Sequence, residues 1–290
     1  MEQDATMHDL EIDMARKFDA KVKEMRSENA VLKQQLSKQE ELKIQLASRE
    51  DSIIKMQHQL DTEQRDIKFL GSEYKKVATA KTKLQQNIQL LSRTMLLEKF
   101  GPGPHTLDIH LRFDSHKGFA DGGILKVEMA PVDEMPHAVY WFLEQVSRKL
   151  FDGFSFYQNA GHVLQAGAVP NFLTPPGNDH RPSEDAMKKA GFHQLLFQEY
   201  SETFPHDKYT IGFAGRPGGP SIYINTQNNT RIHGPGGQTR YDDPAEADSC
   251  FAKIIDGFDL VDRMMTMPVK EGTYHSIQDN IAIVQIRIRE

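Results

Sequence analysis

The stretch CFAKIIDGFDLVDRM, Cys250 to Met264, shows most clearly how the C-terminal part of the chain folds. Its first half is a short run rich in β-branched and aromatic residues, which is typical of a buried strand. After Gly257, the apolar residues of FDLVDRMMTM recur at helical spacing. Cys250, the only cysteine, lies in the strand, so we interpret it as a small core residue rather than a catalytic thiol.

Segments before and after this stretch alternate apolar and polar residues, as half-buried strands do. A helix is predicted to begin near Pro136, with Asp133 as its N-cap. Many short strands, two helices and glycine-rich turns together predict a mainly-β closed barrel with two capping helices. The remaining predicted strands lie within residues 105–113, 122–131, 154–167, 209–215, 220–226 and 281–288.

The N-terminal segment, residues 1–98, has the composition and spacing of a long coiled-coil helix. Apolar residues recur every three and four positions, which over many heptads indicates a coiled coil. Arg49, Glu63 and Lys81 occupy core positions of the main heptad register. An earlier run of apolar residues fits a second heptad register that is out of phase with the main one. The main register comprises Leu46, Ile53, Met56, Leu60, Ile67, Leu70, Tyr74, Val77, Leu84, Ile88, Leu91 and Met95, and the earlier run Val22, Met25, Asn29, Leu32 and Leu36.

Two glycines and two prolines in KFGPGPH end this helix, so residues 99–105 are predicted to be a hinge before a barrel domain at 106–290. The residues of the main heptad register lie along one side of the helix, and we call this strip the apolar seam. An isolated helix would expose the seam, so we expect self-association, most simply as a parallel homodimer. Asn29 at a core position would favour two strands and fix their register. The alternative is that the helix pairs with a different helical protein.

The order of these segments over residues 105–290 resembles the cyclophilin-type peptidyl-prolyl cis-trans isomerase fold. FAKIIDGFDLVDRM is the most specific match, and FYQNAGHVLQAG and FAGRPGGPSIYINT follow the family's order of strands. The resemblance implies a barrel with a peptide-binding groove. It also implies catalysis of rotation about the bond before proline, with an arginine beside the prolyl amide and without a cofactor or metal.

Aligning FYQNAGHVLQAG with the family places a neutral residue, Gln158, where the arginine is expected and Tyr157 at a histidine position. The segment is also one residue shorter than the family pattern. Asp248 stands where the family has a histidine near the last wall of the groove. The groove residues implied by the alignment are Phe156, Gln158, His162, Val163, Gln165, Ala214, Ser221 and Tyr223.

The replacement of arginine by Gln158 implies a catalytically degenerate cyclophilin-like module that binds a proline-containing peptide or protein segment. One alternative is an active isomerase assisting protein folding, with Arg216 of GRPGGP supplying the missing charge. Another is a structural coiled-coil tether whose barrel has no groove. The glycine-rich stretches GRPGGP and HGPGGQ lack the lysine and the strand–loop–helix context of a phosphate loop.

Composition limits the classes of partner. A net charge of −6 gives no basis for expecting a nucleic-acid partner, and the histidines show no metal-ligand spacing. Without a long apolar run, no membrane span is expected. The polar, acidic N-terminus does not resemble a secretory signal, so a cytoplasmic location is the default expectation, unless an upstream segment is missing.

Overall fold

The fold is taken from a computed structural model that describes residues 2–114, 121–173, 184–238, 246–273 and 275–289. The chain forms two compact units, residues 1–79 and 80–290. A single helix, α1 (Glu2–Phe100), accounts for the described part of the first unit and continues into the second. No helix in the described part of the chain is both long and apolar enough to cross a membrane.

The first unit presents its apolar seam to solvent. The Leu70 side chain, for example, is 63% exposed, and Leu60 and Ile67 are exposed as well. Surface ion pairs one turn apart, such as Lys17–Asp13 and Lys76–Glu73, support the helix on its polar faces. The long helix predicted from the heptad pattern is confirmed, whereas the homodimer stays a prediction.

The second unit begins inside α1, so residues 80–98 of the predicted coiled-coil segment pack with the barrel. Leu96 is fully buried in the hydrophobic core of the unit. Gln89 Nε2 donates a hydrogen bond to Glu199 Oε1 at 3.0 Å, and the side chains of Arg93 and Asp133 form an ion pair at 2.8 Å. The helix ends at Phe100, inside the segment 99–105 that was predicted to be a hinge, and the boundaries predicted at residues 98 and 106 stay predictions.

Eight antiparallel strands close into a barrel in the order β1, β2, β7, β5, β6, β4, β3, β8, with β8 pairing back to β1. Side chains of β1 alternate between the interior and the surface, as the period of two predicts. The predicted fold class is therefore confirmed. The strands are β1 (Thr106–Phe113), β2 (Asp121–Met129), β3 (Ser155–Asn159), β4 (Val163–Gly167), β5 (Thr210–Phe213), β6 (Ile222–Asn225), β7 (Cys250–Asp256) and β8 (Ser276–Ile288).

The helix α2 (Pro136–Ser147) packs its apolar face on β7 and β8. The Phe142 ring lies 4.6 Å from that of Phe251, and the Trp141 ring lies 5.0 Å from that of Phe213. These aromatic contacts fill the core under the helix. The other helices are α3 (Glu184–Lys189), α4 (Thr230–His233) and α5 (Phe258–Met265).

Two local predictions differ from the structure. The single strand predicted over 154–167 is a hairpin of β3 and β4, because Gly161 adopts a left-handed φ of 80° and turns the chain. Asp133 is not the N-cap of α2. Instead the Glu199 carboxylate accepts the backbone N–H groups of His137 and Ala138, at 3.2 and 2.7 Å, at the start of that helix.

Candidate functional site

A cavity of about 540 Å³ opens beside the β3–β4 hairpin and β6. It contains all of the predicted groove residues except Phe156, and their role in binding a peptide stays a prediction. Additional residues, from α3, α4 and the loops, complete its wall. The described lining residues are Gln158, Ala160, His162, Val163, Gln165, Glu184, Ala214, Gly215, Gly219, Pro220, Ser221, Tyr223, His233, Gln238 and Asp248.

Phe156 lies in the barrel core instead of the cavity. Its side chain is fully buried among the core residues, and its position on β3 is paired with Ile281 of β8 and Ala166 of β4. Side chains that point into a closed barrel cannot face an outer groove, because successive residues of a strand point to opposite faces. The inclusion of Phe156 among the groove residues is therefore corrected.

The strand register shifts between Phe156 and Gln158, so Tyr157 lies in an irregularity resembling a β-bulge. Gln158 is then paired with Gln165 on β4. Gln165 Nε2 donates a hydrogen bond to the Tyr157 hydroxyl at 2.7 Å. Burial raises the pKa of Tyr157, and the hydrogen bond from Gln165 opposes that shift. The hydroxyl is thus a neutral donor held close to the cavity wall by a residue that lines it.

A buried ion pair adjoins the cavity, and its carboxylate, Asp248, is one of the lining residues. Arg216 Nε donates to Asp248 Oδ1 at 2.8 Å, and the two side chains are only 3% and 2% exposed. His233 Nδ1 and Gln238 Nε2 each donate to the other carboxylate oxygen at 2.7 Å. The Tyr223 hydroxyl also donates to this carboxylate, at 3.5 Å. The Arg216 charge is therefore neutralised inside the protein.

Stacked aromatic rings support this part of the wall. The His233 ring stacks on the Tyr223 ring at 4.8 Å and on the His162 ring at 5.6 Å. His206 stacks behind His233 at 5.9 Å. Burial lowers the pKa of His206 to about 4, with the neighbouring His233 acting in the same direction. Tyr223 is also buried, which raises the pKa of its hydroxyl well above the ordinary value.

A family model described as cyclophilin-type peptidyl-prolyl cis-trans isomerase/CLD matches residues 118–288, more than half of the chain. The chain belongs to this cyclophilin family. The matched region begins just before β2 and ends at the last residue of β8.

Solved cyclophilins with detectable structural similarity are distant in sequence. A cyclophilin-type peptidyl-prolyl cis-trans isomerase from Cryptosporidium parvum is 16% identical, with a TM-score of 0.44, over 64% of this chain and 98% of its own. The same isomerase in the presence of the dipeptide Ala-Pro is 17% identical, with a TM-score of 0.43, over 64% and 99%. A cyclophilin from Hirschia baltica is 14% identical, with a TM-score of 0.33, over 63% and 76%. No curated protein matched the sequence.

Neutral polar groups dominate the cavity of this cyclophilin domain. No lysine or arginine is among its described lining residues, which include Gln158. Amide, hydroxyl and imidazole groups can hydrogen-bond to a peptide backbone, while Val163, Ala214 and Pro220 offer apolar contact. The arrangement is chemically suited to holding a peptide segment.

Sequence reasoning missed two parts of this site. His233 and Gln238 lie in HGPGGQ, a glycine-rich stretch in which the sequence shows no more than the lack of phosphate-loop features. Tyr157 was considered only as a substitute for a family histidine, because its contact with Gln165 depends on the strand irregularity. A pairing of HGPGGQ with Asp248 has no signal in the local sequence, since it arises when the loop folds back on the chain before β7.

Proposed function

We propose that the cyclophilin domain binds a proline-containing peptide or protein segment in the cavity and has little or no prolyl isomerase activity. The helix α1 presents this domain in a coiled-coil oligomer. The observation that carries the proposal is the absence of a basic side chain among the described residues that line the cavity, with Gln158 in the place of the expected arginine.

The loss of activity follows from the chemistry of rotation about the prolyl bond. Twisting the amide breaks its resonance, and the barrier is about 18–20 kcal/mol. A catalyst must bind the twisted amide more tightly than either planar form. A guanidinium does so by donating a charge-assisted hydrogen bond to the pyramidal nitrogen. Gln158 offers a neutral amide, which forms a weaker bond.

The arrangement around Arg216 argues against an active isomerase in which this arginine replaces the missing one. Its guanidinium is held by the Asp248 carboxylate and is almost completely buried. Freeing it would leave the buried Asp248 carboxylate without its arginine partner, which is costly. Arg216 instead organises the wall through Asp248, His233 and Gln238.

Retention of binding is supported by the size of the cavity and by the groups along it. About 540 Å³ is within the range of ligand-binding clefts. A purely structural tether would not require a cleft with convergent hydrogen-bonding groups. The buried network around Asp248 also keeps the wall ordered before a ligand arrives, which lowers the entropic cost of binding.

The test uses the full chain and a fluorescently labelled peptide with one X-Pro bond. Fluorescence anisotropy measures binding, and NMR exchange spectroscopy on the same peptide measures interconversion of cis and trans. We expect saturable binding with exchange close to the uncatalysed rate. Exchange as fast as with an ordinary cyclophilin assayed in parallel would establish the active-isomerase alternative, and absence of binding would favour the structural tether.

A further inference from the structure

We propose that α1 pairs with α1 of a second copy of this chain in antiparallel orientation over residues 46–98, with Glu63 of each copy facing Lys81 of the other. This deepens the oligomer part of the proposed function and assigns it an orientation opposite to the parallel one expected above. The inference rests on the heptad positions of three charged residues and on the exposure of the seam.

The seam is accessible along the helix. In the first unit its apolar side chains are exposed, as at Leu46, Ile53 and Leu70. In the second unit the barrel covers a different face, on which Ser92 and Leu96 are buried. Further apolar members of the seam, Leu84 and Leu91, are both 60% exposed. Within residues 80–98, Ile88 is half-buried, while Leu84 and Leu91 stay open to a second helix.

Parallel pairing is unfavourable for the charged core positions. In a parallel homodimer at equal register each core residue faces its own copy. Arg49, Glu63 and Lys81 would then form three layers of like charge in the dimer core. Partly desolvated like charges repel strongly, and no residue of opposite sign shares their layers.

Antiparallel pairing changes the partners, because the first and fourth positions of the heptads then face each other. One register sets Lys81 against Glu63 of the other copy, and the two-fold axis repeats this pair. The same register sets Arg49 against Met95 of the other copy. Glu98 of that copy lies in the adjacent layer. Leu46 then faces Glu98, so the two layers that set a charge against an apolar residue lie at the ends of the overlap. The other layers are apolar: Tyr74 with Leu70, Ile67 with Val77, Leu60 with Leu84, Ile53 with Leu91 and Ile88 with Met56.

No other antiparallel register gives this match. A shift by one heptad sets Glu63 against Tyr74 or Ile88 and leaves Lys81 against Met56 or Leu70. Both charges would then lie buried opposite apolar residues, which is costly. Since one chain supplies both members of every matched layer, the seam is complementary to itself. A second copy is therefore the partner that this pattern fits.

The first test uses cysteine substitutions in the full chain, whose native Cys250 is buried. Glu63→Cys and Lys81→Cys proteins are prepared separately, oxidised alone, and then oxidised after being unfolded and refolded together. We expect a disulfide-linked dimer only in the mixture, because cysteines bond only when their Cα atoms lie within about 7 Å. Dimers formed by each variant alone, with none gained on mixing, would overturn the antiparallel register.

The second test exchanges the charges. Glu63→Lys and Lys81→Glu should each raise the dimer dissociation constant at least about tenfold by sedimentation equilibrium, because each creates two buried like-charge pairs. The double variant should return to within about threefold of wild type. A double variant weaker than either single variant would contradict the pairing, and a monomeric wild type would overturn the homodimer itself. Peptide binding, measured separately, is unaffected by either outcome, so failure here is distinguishable from failure of the cavity proposal.

Discussion

A neutral amide at position 158 borders the cavity, and this residue is the simplest place to test the proposed loss of catalysis. Gln158→Arg should accelerate cis–trans exchange of a prolyl peptide by about tenfold or more, since each tenfold change corresponds to about 1.4 kcal/mol of barrier. The new guanidinium would donate to the pyramidal nitrogen of the twisted amide. NMR exchange spectroscopy at saturating protein gives the rate.

Gln158→Met provides the matched control, because it has similar length and no charge. We expect it to leave the exchange rate at the wild-type value. An arginine variant that binds the peptide and is no faster than the methionine variant would show that more than the charge has been lost. The irregular strand at Tyr157 would then be the feature to examine, since it sets the direction of the neighbouring side chains.

The Arg216–Asp248 pair should be important for stability. Asp248→Asn leaves the arginine buried without its charged partner, and we expect the free energy of unfolding to fall by about 3–5 kcal/mol. Urea denaturation followed by the fluorescence of Trp141 measures the change. Asp256→Asn removes a surface partner of Lys126 and should cost much less, because exposed ion pairs contribute little to stability. Equal losses in the two variants would contradict the view that burial makes the Arg216–Asp248 pair critical.

How far single residues could be predicted depended on whether their partners were local. Gln158, Gln165 and Tyr223 were located because they belong to strands whose order resembles a known family. Arg216 and Asp248 are 32 positions apart, and a local pattern does not specify that they meet. Their pairing depends on closure of the barrel between β5 and β7.

At the scale of secondary-structure elements, the end of α1 functions as part of the barrel unit. Leu96→Ala should lower the free energy of unfolding of that unit by about 2–5 kcal/mol, because it opens a cavity in a packed core. Trp141 fluorescence during urea denaturation reports the transition. Leu90→Ala is the control, since Leu90 is 65% exposed and lies outside the heptad seam. Identical midpoints for the two variants would mean that the helix end adds nothing to the core.

Helices and strands with a regular spacing of apolar residues were predictable, whereas the turns and caps at their ends were not. The heptad repeat gave α1, and alternation gave the outer strands, because each pattern reports which face of an element is buried. The hairpin within 154–167 was missed, since Gly161 interrupts a stretch whose apolar residues read as continuous. The cap of α2 comes from Glu199, which lies 61 positions after the capped residue Ala138 and therefore leaves no signature near the start of the helix.

At the scale of the whole molecule, stability should fall as the solution becomes mildly acidic. Burial lowers the pKa of His137 and of His206 to about 4, against an ordinary value of 6.5. Between pH 4 and pH 6.5 the unfolded chain binds more protons than the folded one. The stability that these histidines contribute is therefore fully present above pH 6.5 and is lost as the pH falls toward 4. Each histidine contributes up to about 1.4 kcal/mol per pH unit.

Urea denaturation at several pH values in this interval measures the slope. Glu199 opposes the trend, because burial raises its pKa and the folded state then favours its protonated form. Burial lowers the pKa of His105 as well, which acts in the same direction as the other two histidines. His206→Gln should flatten the slope by removing one of these histidine contributions. A slope of opposite sign in the wild type would show that the buried carboxyl outweighs the histidines.

The burial of Leu96 has a mechanical consequence for a protein whose helix leads into a folded domain. The chain from Gly101 to His105 is short and irregular, and a load carried only by such a linker would peel the domain from β1. Here the side chains of Gln89, Arg93 and Leu96 attach the helix to the domain before that linker begins. Tension applied through α1 is therefore shared among several contacts that must shear together. We expect force applied to the helix to reach the domain through these side-chain contacts and not only through the linker.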